Sequence, residues 1–427
     1  MSITNSLYIG ISGLAAHGDA ISVVGDNIAN ASTVGFKRAR ASFSDLLGGE
    51  LGAQRLGGGV RLGPSQTMWE QGSITPTGNP MDVAISGGGM FVVKGNHAGR
   101  PGQFYTRDGR FQLDDKGFVV NQQGLRLQGY TIDAKGNRGV SPGDLALGGR
   151  QSPPVASTLA TMSLNLDSSA PVPPPFDPAN PQATSTYATS INVTDSTGAS
   201  RHVDLYFRNS GGSPASWEVH AMADGGDISG GTKGTPVELG AGTLTFDSDG
   251  KLVDQNVSIT ASFTGATPGQ TIALDFGDDL ASGGTGLGGT TSFASASTVS
   301  AADVDGHRSG SLTDIKINDD GTIEGIFDNG ERRALAKIAI ADFASYEGLE
   351  RAGDGLVSAT TASGAALIDA AGTGGRGSLV SGALEASNVD LGTELVTLIA
   401  YQRAFQANAK TVTTADEMMN DINNLKR

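Results

Sequence analysis

The stretch Asp26-Asn27-Ile28-Ala29-Asn30-Ala31-Ser32-Thr33-Val34-Gly35-Phe36-Lys37-Arg38 decides how this chain is read. An apolar segment ends there at a small polar turn, and Gly35 releases the chain into Phe36 and a basic pair. Upstream, Leu7, Leu14, Ile21 and Ile28 recur every seven residues, with Ile11 and Val24 on the same side. Asn5, His17, Asp19 and Asp26 lie opposite. This pattern predicts a helix over the first thirty residues with a heptad-like apolar stripe. Gly10, Gly13, Gly18 and Gly25 interrupt it, each at a cost of about 1 kcal/mol relative to Ala. Such a helix needs a partner to form.

The other end of the chain supplies a matching pattern. Leu384, Leu391, Leu398, Phe405, Val412 and Met419 follow at seven-residue intervals, flanked by Leu395, Ala409, Ala415 and Ile422. Six heptads read as a coiled-coil face, the alternative being an amphipathic helix docked on its own domain. A chain that leaves one helix and returns through another pairs the two antiparallel.

Between the ends the signal is β. Met81 to Ile85 alternates, Phe104 to Leu113 carries an Asp108-Gly109 hairpin signal, and Leu113 to Val120 reads as a second hairpin. Residues 153–181 are Pro-rich and predict an extended linker or boundary. Short strands are expected at Ile191–Val193, Val203–Phe207, Trp217–Val219, Leu244–Phe246, Val257–Ile259 and Ile272–Phe276, a sandwich or barrel pattern. Residues 282–298 read as a loop, after which Ile315–Ile317, Ile323–Phe327 and Leu335–Ile340 resume β alternation. One domain inserted into another fits this order.

Composition narrows the function. The 427 residues include 63 Gly, 16 Pro and no Cys, with 6% aromatic residues and a formal net charge of −15. The absence of Cys excludes disulfide scaffolds, thiol enzymes and thiolate metal centres. An acidic chain lacks the basic face that nucleic acid requires. Residues 1–70 are neutral and 380–427 carry −2, leaving −13 in the middle; the ends suit packing on protein and the middle suits water. No apolar run approaches 18 residues, so no segment is expected to span a membrane as a helix. No secretory signal pattern follows Met1. His17, His97, His202, His220 and His307 are scattered and form no metal-ligand spacing. Gly284 to Gly289 matches G-x-G-x-x-G, but no helical period follows to cradle a phosphate. Asp247–Gly250 and Asn318–Gly321 lack the ligands of a calcium loop and read as turns. The sequence assigns no catalytic, cofactor-binding or metal-ligating residue.

The opening stretch closely resembles the signature N-I-A-N-x-x-T-x-G-F-K of the rod-and-hook axial proteins of the bacterial flagellum. Asn27, Ile28, Ala29, Asn30, Thr33, Gly35, Phe36 and Lys37 carry the match, while Asp26 departs from the usual Asn-Asn pair. Ile11–Leu14, Ser387–Leu391, Tyr401–Lys410 and Thr414–Met419 also resemble that family. Gly87–Val93 and Phe104–Gly109 are similar in rod and hook members alike. Tyr187–Gly198 with Val203–Phe207 looks like the outer β domain of the hook branch, which distal rod subunits lack.

The resemblance implies a multidomain chain: a terminal α-helical coiled-coil pair plus mainly-β middle domains, the outer inserted into the inner. The expected bounds are 1–33 and 380–427 for the helical core, and 34–75 and 352–379 for an extended connector. The inner β domain is expected at 76–150 and 301–351, the outer at 151–300. The implied role is a structural subunit, not an enzyme, needing no cofactor. It would polymerise with itself into a hollow flexible tube that joins rod to filament and transmits torque. The tube would sit outside the cell, its subunits exported through the flagellar apparatus without a cleaved signal. Implied partners are further copies, the distal rod, hook cap and hook–filament junction proteins, and the export apparatus, with no nucleic acid. The expected assembly interface is Leu7, Leu14, Ile21, Ile28, Leu384, Leu391, Leu398, Phe405, Val412 and Met419. The Gly-rich run at Leu56–Val60 is expected to act as a connector loop. The first alternative is another axial protein of the same family, such as a distal rod subunit; the second is a secreted enzyme or surface adhesin built on β domains.

Overall fold

The computed structural model describes residues 3–51, 54–133, 136–212 and 215–425. The chain is mainly β, with one long helix toward each end: α1, Ile3–Ala29, and α2, Leu391–Leu425. Asp390 starts α2. Its Oδ1 accepts the Thr393 N–H at 2.8 Å and its carbonyl accepts the Glu394 N–H at 2.9 Å, the N-cap pattern that satisfies orphan donors. Leu384, expected as the first heptad position of that helix, lies instead in the strand Ala383–Glu385, where it pairs with Thr75.

Two compact units divide the chain. The first comprises residues 1–149, 314–326 and 332–427. Its central sheet runs through Met90–His97, Arg100–Thr106, Arg126–Thr131 and Arg332–Asp342, with Val92 opposite Tyr105, Leu127 opposite Val93, and Ile340 opposite Phe91. Met90, Val92, Tyr105, Ala341, Phe343 and Val357 form a core against Trp69 and Tyr346. Val83–Ser86 pairs with Ser378–Ser381 and is buried over Val83, Ala84 and Ile85; alternation is lost because both faces are covered.

Three local expectations are corrected in this unit. Arg100–Thr106 and Phe111–Leu113 do not pair across Asp108-Gly109: the first pairs with Met90–His97, the second with Val119–Asn121. Asp108 Oδ1 accepts the Arg110 N–H, and the Gly109 carbonyl accepts the Val83 N–H, so the segment is a crossing between partners. The Gly-rich run is not a connector loop. It belongs to the strand Gln54–Leu62, paired with Phe43–Leu51 and held to α1 by the Val60 N–H donating to Ser12 Oγ. Finally, Asn5–Ala29 is long and apolar enough to cross a membrane by length and composition. Dispersed Gly and Ser hid this from a run-based reading; here Gly10, Gly13, Ala16, Ala20 and Val24 are buried against protein. The second expected hairpin is present, with Leu113 opposite Val119 and Gly117 at φ 78°.

The second unit comprises residues 150–313 and 327–331. Five antiparallel strands, Tyr187–Thr194, Ser200–Gly211, Ala215–Asp224, Pro236–Phe246 and Leu252–Asn256, make one sheet. Ser258–Ala261, Gln270–Asp275, Leu159–Asn165 and Thr298–Val304 make the other. Trp217, Phe207, Phe246, Phe263 and Phe276 are fully buried in their shared core. The Pro-rich segment is more than a linker: Leu159–Asn165 lies within it and buries Ala160, Met162 and Leu164.

Asp195 is fully buried in this unit. Burial pushes its carboxyl up, but hydrogen bonds from Thr197, Arg201 and the Ala199 N–H outweigh that and hold it below the usual carboxylate value. Asp305 is more exposed; partial desolvation pushes its carboxyl up, and hydrogen bonds from Thr158 and the Leu159 N–H outweigh that and hold it down. A depressed folded pKa contributes stability above the unfolded pKa and loses it as pH falls through the folded value. Stability of this unit is therefore expected to decline below about pH 4. Acid titration of Trp217 fluorescence in a Trp69→Phe chain checks this; Asp195→Asn should destabilise at pH 7 and have little effect at pH 2.

Candidate assembly surface and the junction behind it

The two terminal helices meet in opposite order along their lengths. Gly10 faces Val412, Gly13 faces Asn408, and Gly18 faces Phe405; Asn27 Nδ2 donates to Glu394 Oε2 at 3.2 Å. The buried face of α1 is a stripe of small residues, Gly10, Gly13, Ala16, Ala20 and Val24, ending in Asn27. A Cβ at Gly10 would sit 2.8 Å from Val412 Cγ2, and one at Gly13 would sit 2.5 Å from Asn408 Oδ1. These glycines are therefore the contact surface that lets α2 approach. A Cβ at Gly25 would meet no neighbouring group within 4 Å among the described residues. Gly13→Leu is expected to destabilise the helix pair by about 1–3 kcal/mol through overpacking, whereas Gly25→Ala should stabilise it by about 1 kcal/mol. Thermal disassembly of tubes formed by each variant distinguishes the two glycines.

The expected stripe residues Leu7, Leu14, Ile21 and Ile28 are half-buried beside that contact, and Ile11 is exposed, unlike Val24. His17 does not sit on a polar outer face: its ring packs 5.1 Å from Phe43 and 5.9 Å from Tyr401. On α2, Leu398 and Val412 are half-buried, while Leu391, Phe405 and Met419 are exposed. Leu395, Val396, Ile399, Met418 and Ile422 are exposed with them, giving two apolar clusters on α2, Leu391 to Phe405 and Met418 to Ile422, either side of an exposed stretch that carries Gln406, Lys410, Thr411, Thr413, Asp416 and Glu417. Clustered large apolar side chains left exposed in this way mark an interaction surface.

Behind the helices lies a polar junction built on the opening stretch. The Asn27 carboxamide is buried; it donates to the Ala39 carbonyl at 2.7 Å and accepts the Ala39 N–H at 2.8 Å. Asn30 Nδ2 donates back to the Asp26 carbonyl at 2.9 Å, and Thr33 Oγ1 donates to Asn30 Oδ1 at 3.1 Å. Gly35 adopts φ 69° and packs so tightly on Arg107 that a Cβ would lie 2.7 Å from its carbonyl carbon; only glycine meets both demands. Ile28 and Ala29 complete the last turn of α1. Phe36 lies under the Arg351 guanidinium, 5.4 Å from the ring centre. Asn388 ties the two ends, accepting the Arg38 N–H at 2.8 Å and donating to the Met68 carbonyl at 2.9 Å.

Lys37 turns inward and forms a buried ion pair with Glu385 at 2.5 Å, and Arg107 reaches the other carboxylate oxygen at 3.0 Å. Burial lowers the Lys37 pKa, opposed by the hydrogen bond and charge of Glu385. The sequence pattern flagged Lys37, carried Arg107 only as part of the Phe104–Gly109 resemblance, and did not flag Glu385. Asp247 and Asp320 turn their carboxylates onto backbone N–H groups of Asp249, Lys251 and Thr322, the Asx geometry of tight turns.

Family models match the chain in four places: "Flagella basal body rod protein" over residues 7–37, "Flagellar hook protein FlgE/F/G D1 domain" over 84–154, "Flagellar basal body protein FlaE D2 domain" over 165–307, and "Flagellar basal body rod FlgEFG protein C-terminal" over 380–425. Flagellar hook protein FlgE of Escherichia coli is 36% identical over 424 residues, covering 97% of this chain and 98% of that one. Its counterpart in Treponema pallidum is 32% identical, covering 99% of each. A crystal structure of Helicobacter pylori flagellar hook protein FlgE2 aligns at TM-score 0.46 and 16% identity, covering 71% of this chain and 98% of that one. The chain belongs to the flagellar hook protein family.

Proposed function

We propose that this chain is the structural subunit of a bacterial flagellar hook, polymerising through α1 and α2 into a hollow, flexible tube that joins rod to filament and carries torque. The observation that supports this reading is the exposed large apolar side chains of α2, from Leu391 to Phe405 and again from Met418 to Ile422. The small-residue stripe of α1 covers only one side of α2, so other copies must bury the rest. At about 25 cal/mol per Å², a few hundred Å² of apolar contact per neighbour supplies several kcal/mol, enough to order a helix weakened by four glycines. In this reading the terminal helices form a coiled-coil inner tube, through the nine expected interface residues that lie on α1 and α2, while the β units stack outward. The outer β domain is inserted into the inner one, with the connector at 34–75 and 352–379. The acidic middle keeps outer contacts weak and exchangeable. Chains with unordered ends thread the flagellar export apparatus without a cleaved signal, then meet the distal rod, the hook cap and the junction proteins. Electron microscopy of the concentrated chain tests the reading: hollow tubes are expected, and a dispersed monomer at every concentration would sink it.

A further inference from the structure

One residue, Glu385, ties its own strand to three other segments of the first unit, around Lys37, Gly72 and Arg107. The Glu385 carboxylate meets Lys37 Nζ at 2.5 Å, Arg107 Nη1 at 3.0 Å and the Gly72 N–H at 2.8 Å, while its carbonyl accepts the Gly35 N–H at 2.8 Å. Its strand also pairs with Ile74–Pro76. Glu385 is fully buried, and Lys37 and Arg107 are nearly so. Arg107 is held in turn by the Gly87 carbonyl at 2.8 Å, and Lys37 by the Glu70 carbonyl at 2.7 Å.

We infer that Glu385 is a positioning residue that fixes the direction in which both terminal helices leave the β scaffold. The chain enters this hub at Gly35, six residues after α1 ends, and leaves it at Glu385, six residues before α2 begins. Two cations and one carboxylate are an inefficient way to gain stability, because desolvation of the charges offsets most of their attraction. What such a cluster adds over apolar packing is directionality: each bond has one length and one angle, and all must be met together. An apolar plug of equal volume would fill the space and leave the two connectors free to shift. The role rests on the proposed tube, since a fixed exit angle carries twist from inner helices to outer units.

The test uses the full-length chain with Lys37→Met, Arg107→Met and Glu385→Leu combined. Its unfolding midpoint is expected to equal or exceed the parent's, while the Gly35 and Gly72 amides exchange hydrogen at least tenfold faster. Tubes of this variant should show a persistence length at least threefold shorter. An unchanged midpoint with unchanged exchange at both amides overturns the inference, as does a fall in midpoint with tube stiffness retained. Glu385→Asp, which keeps the charge but cannot reach all three donors, covers the case in which the triple variant fails to fold. It should expose Gly72 to exchange; parent-like exchange and stiffness would overturn the inference. Exchange is read on the isolated chain, so a parent that forms no tubes counts against the hook reading alone.

Discussion

Leu395→Asp combined with Ile399→Asp is expected to keep the chain monomeric at concentrations where the parent forms tubes. Both residues lie about half exposed on α2, so the substitutions leave the single-chain fold nearly untouched. In the tube each side chain would be covered, at about 1 kcal/mol apiece for its remaining apolar surface. A carboxylate at each place adds the cost of burying charge without a partner. Together these exceed about 3 kcal/mol per subunit, which raises the critical concentration by at least ~100-fold. Sedimentation of parent and variant across a concentration series measures it, and circular dichroism confirms that the β units remain folded. The same double change to Ala should raise the critical concentration by a smaller factor, because the apolar loss remains but the charge penalty does not.

The second large effect is on folding. Glu385→Gln is expected to destabilise the first unit by about 3–5 kcal/mol, because it leaves Lys37 and Arg107 buried with no counter-charge. That corresponds to a fall in unfolding temperature of roughly 10 °C for a unit of this size. The control is Arg138→Gln, which breaks a pair with Asp369 at 2.7 Å that is about 40% exposed on both sides. Water screens that pair, and its loss should cost less than about 1 kcal/mol. Thermal unfolding of the two variants side by side separates a hub from a surface contact.

Much of this was legible in the sequence because the signals are local. Val203–Phe207 falls within Ser200–Gly211, and the Asp114–Gly117 turn closes the hairpin that its Asx and Gly residues announce. The two terminal helices declare themselves by apolar period, and the residues 27–37 signature does fold into one polar junction. What was missed depends on partners distant in sequence. Glu385 bonds residues 35, 37, 72 and 107, and nothing in the charge pattern near position 385 points to them. Leu384 fits a heptad by spacing alone, yet a ladder with Thr75 claims it first. The face of α1 was misread for a different reason. Large apolar residues were weighed as the seam and glycines as defects, whereas Gly10 and Gly13 at the contact allow close approach. The spacing of Gly10, Gly13, Ala16, Ala20 and Val24, three or four residues apart, was the available signal.

Hydrogen exchange across α2, followed from dilute chain to assembled tube, tests most directly whether the helices order through their neighbours. Amides between Leu391 and Ile422 are expected to exchange at nearly unprotected rates in the dilute chain and at least a thousandfold more slowly in the tube. Full protection of the same amides in the dilute chain, unchanged on assembly, would contradict it.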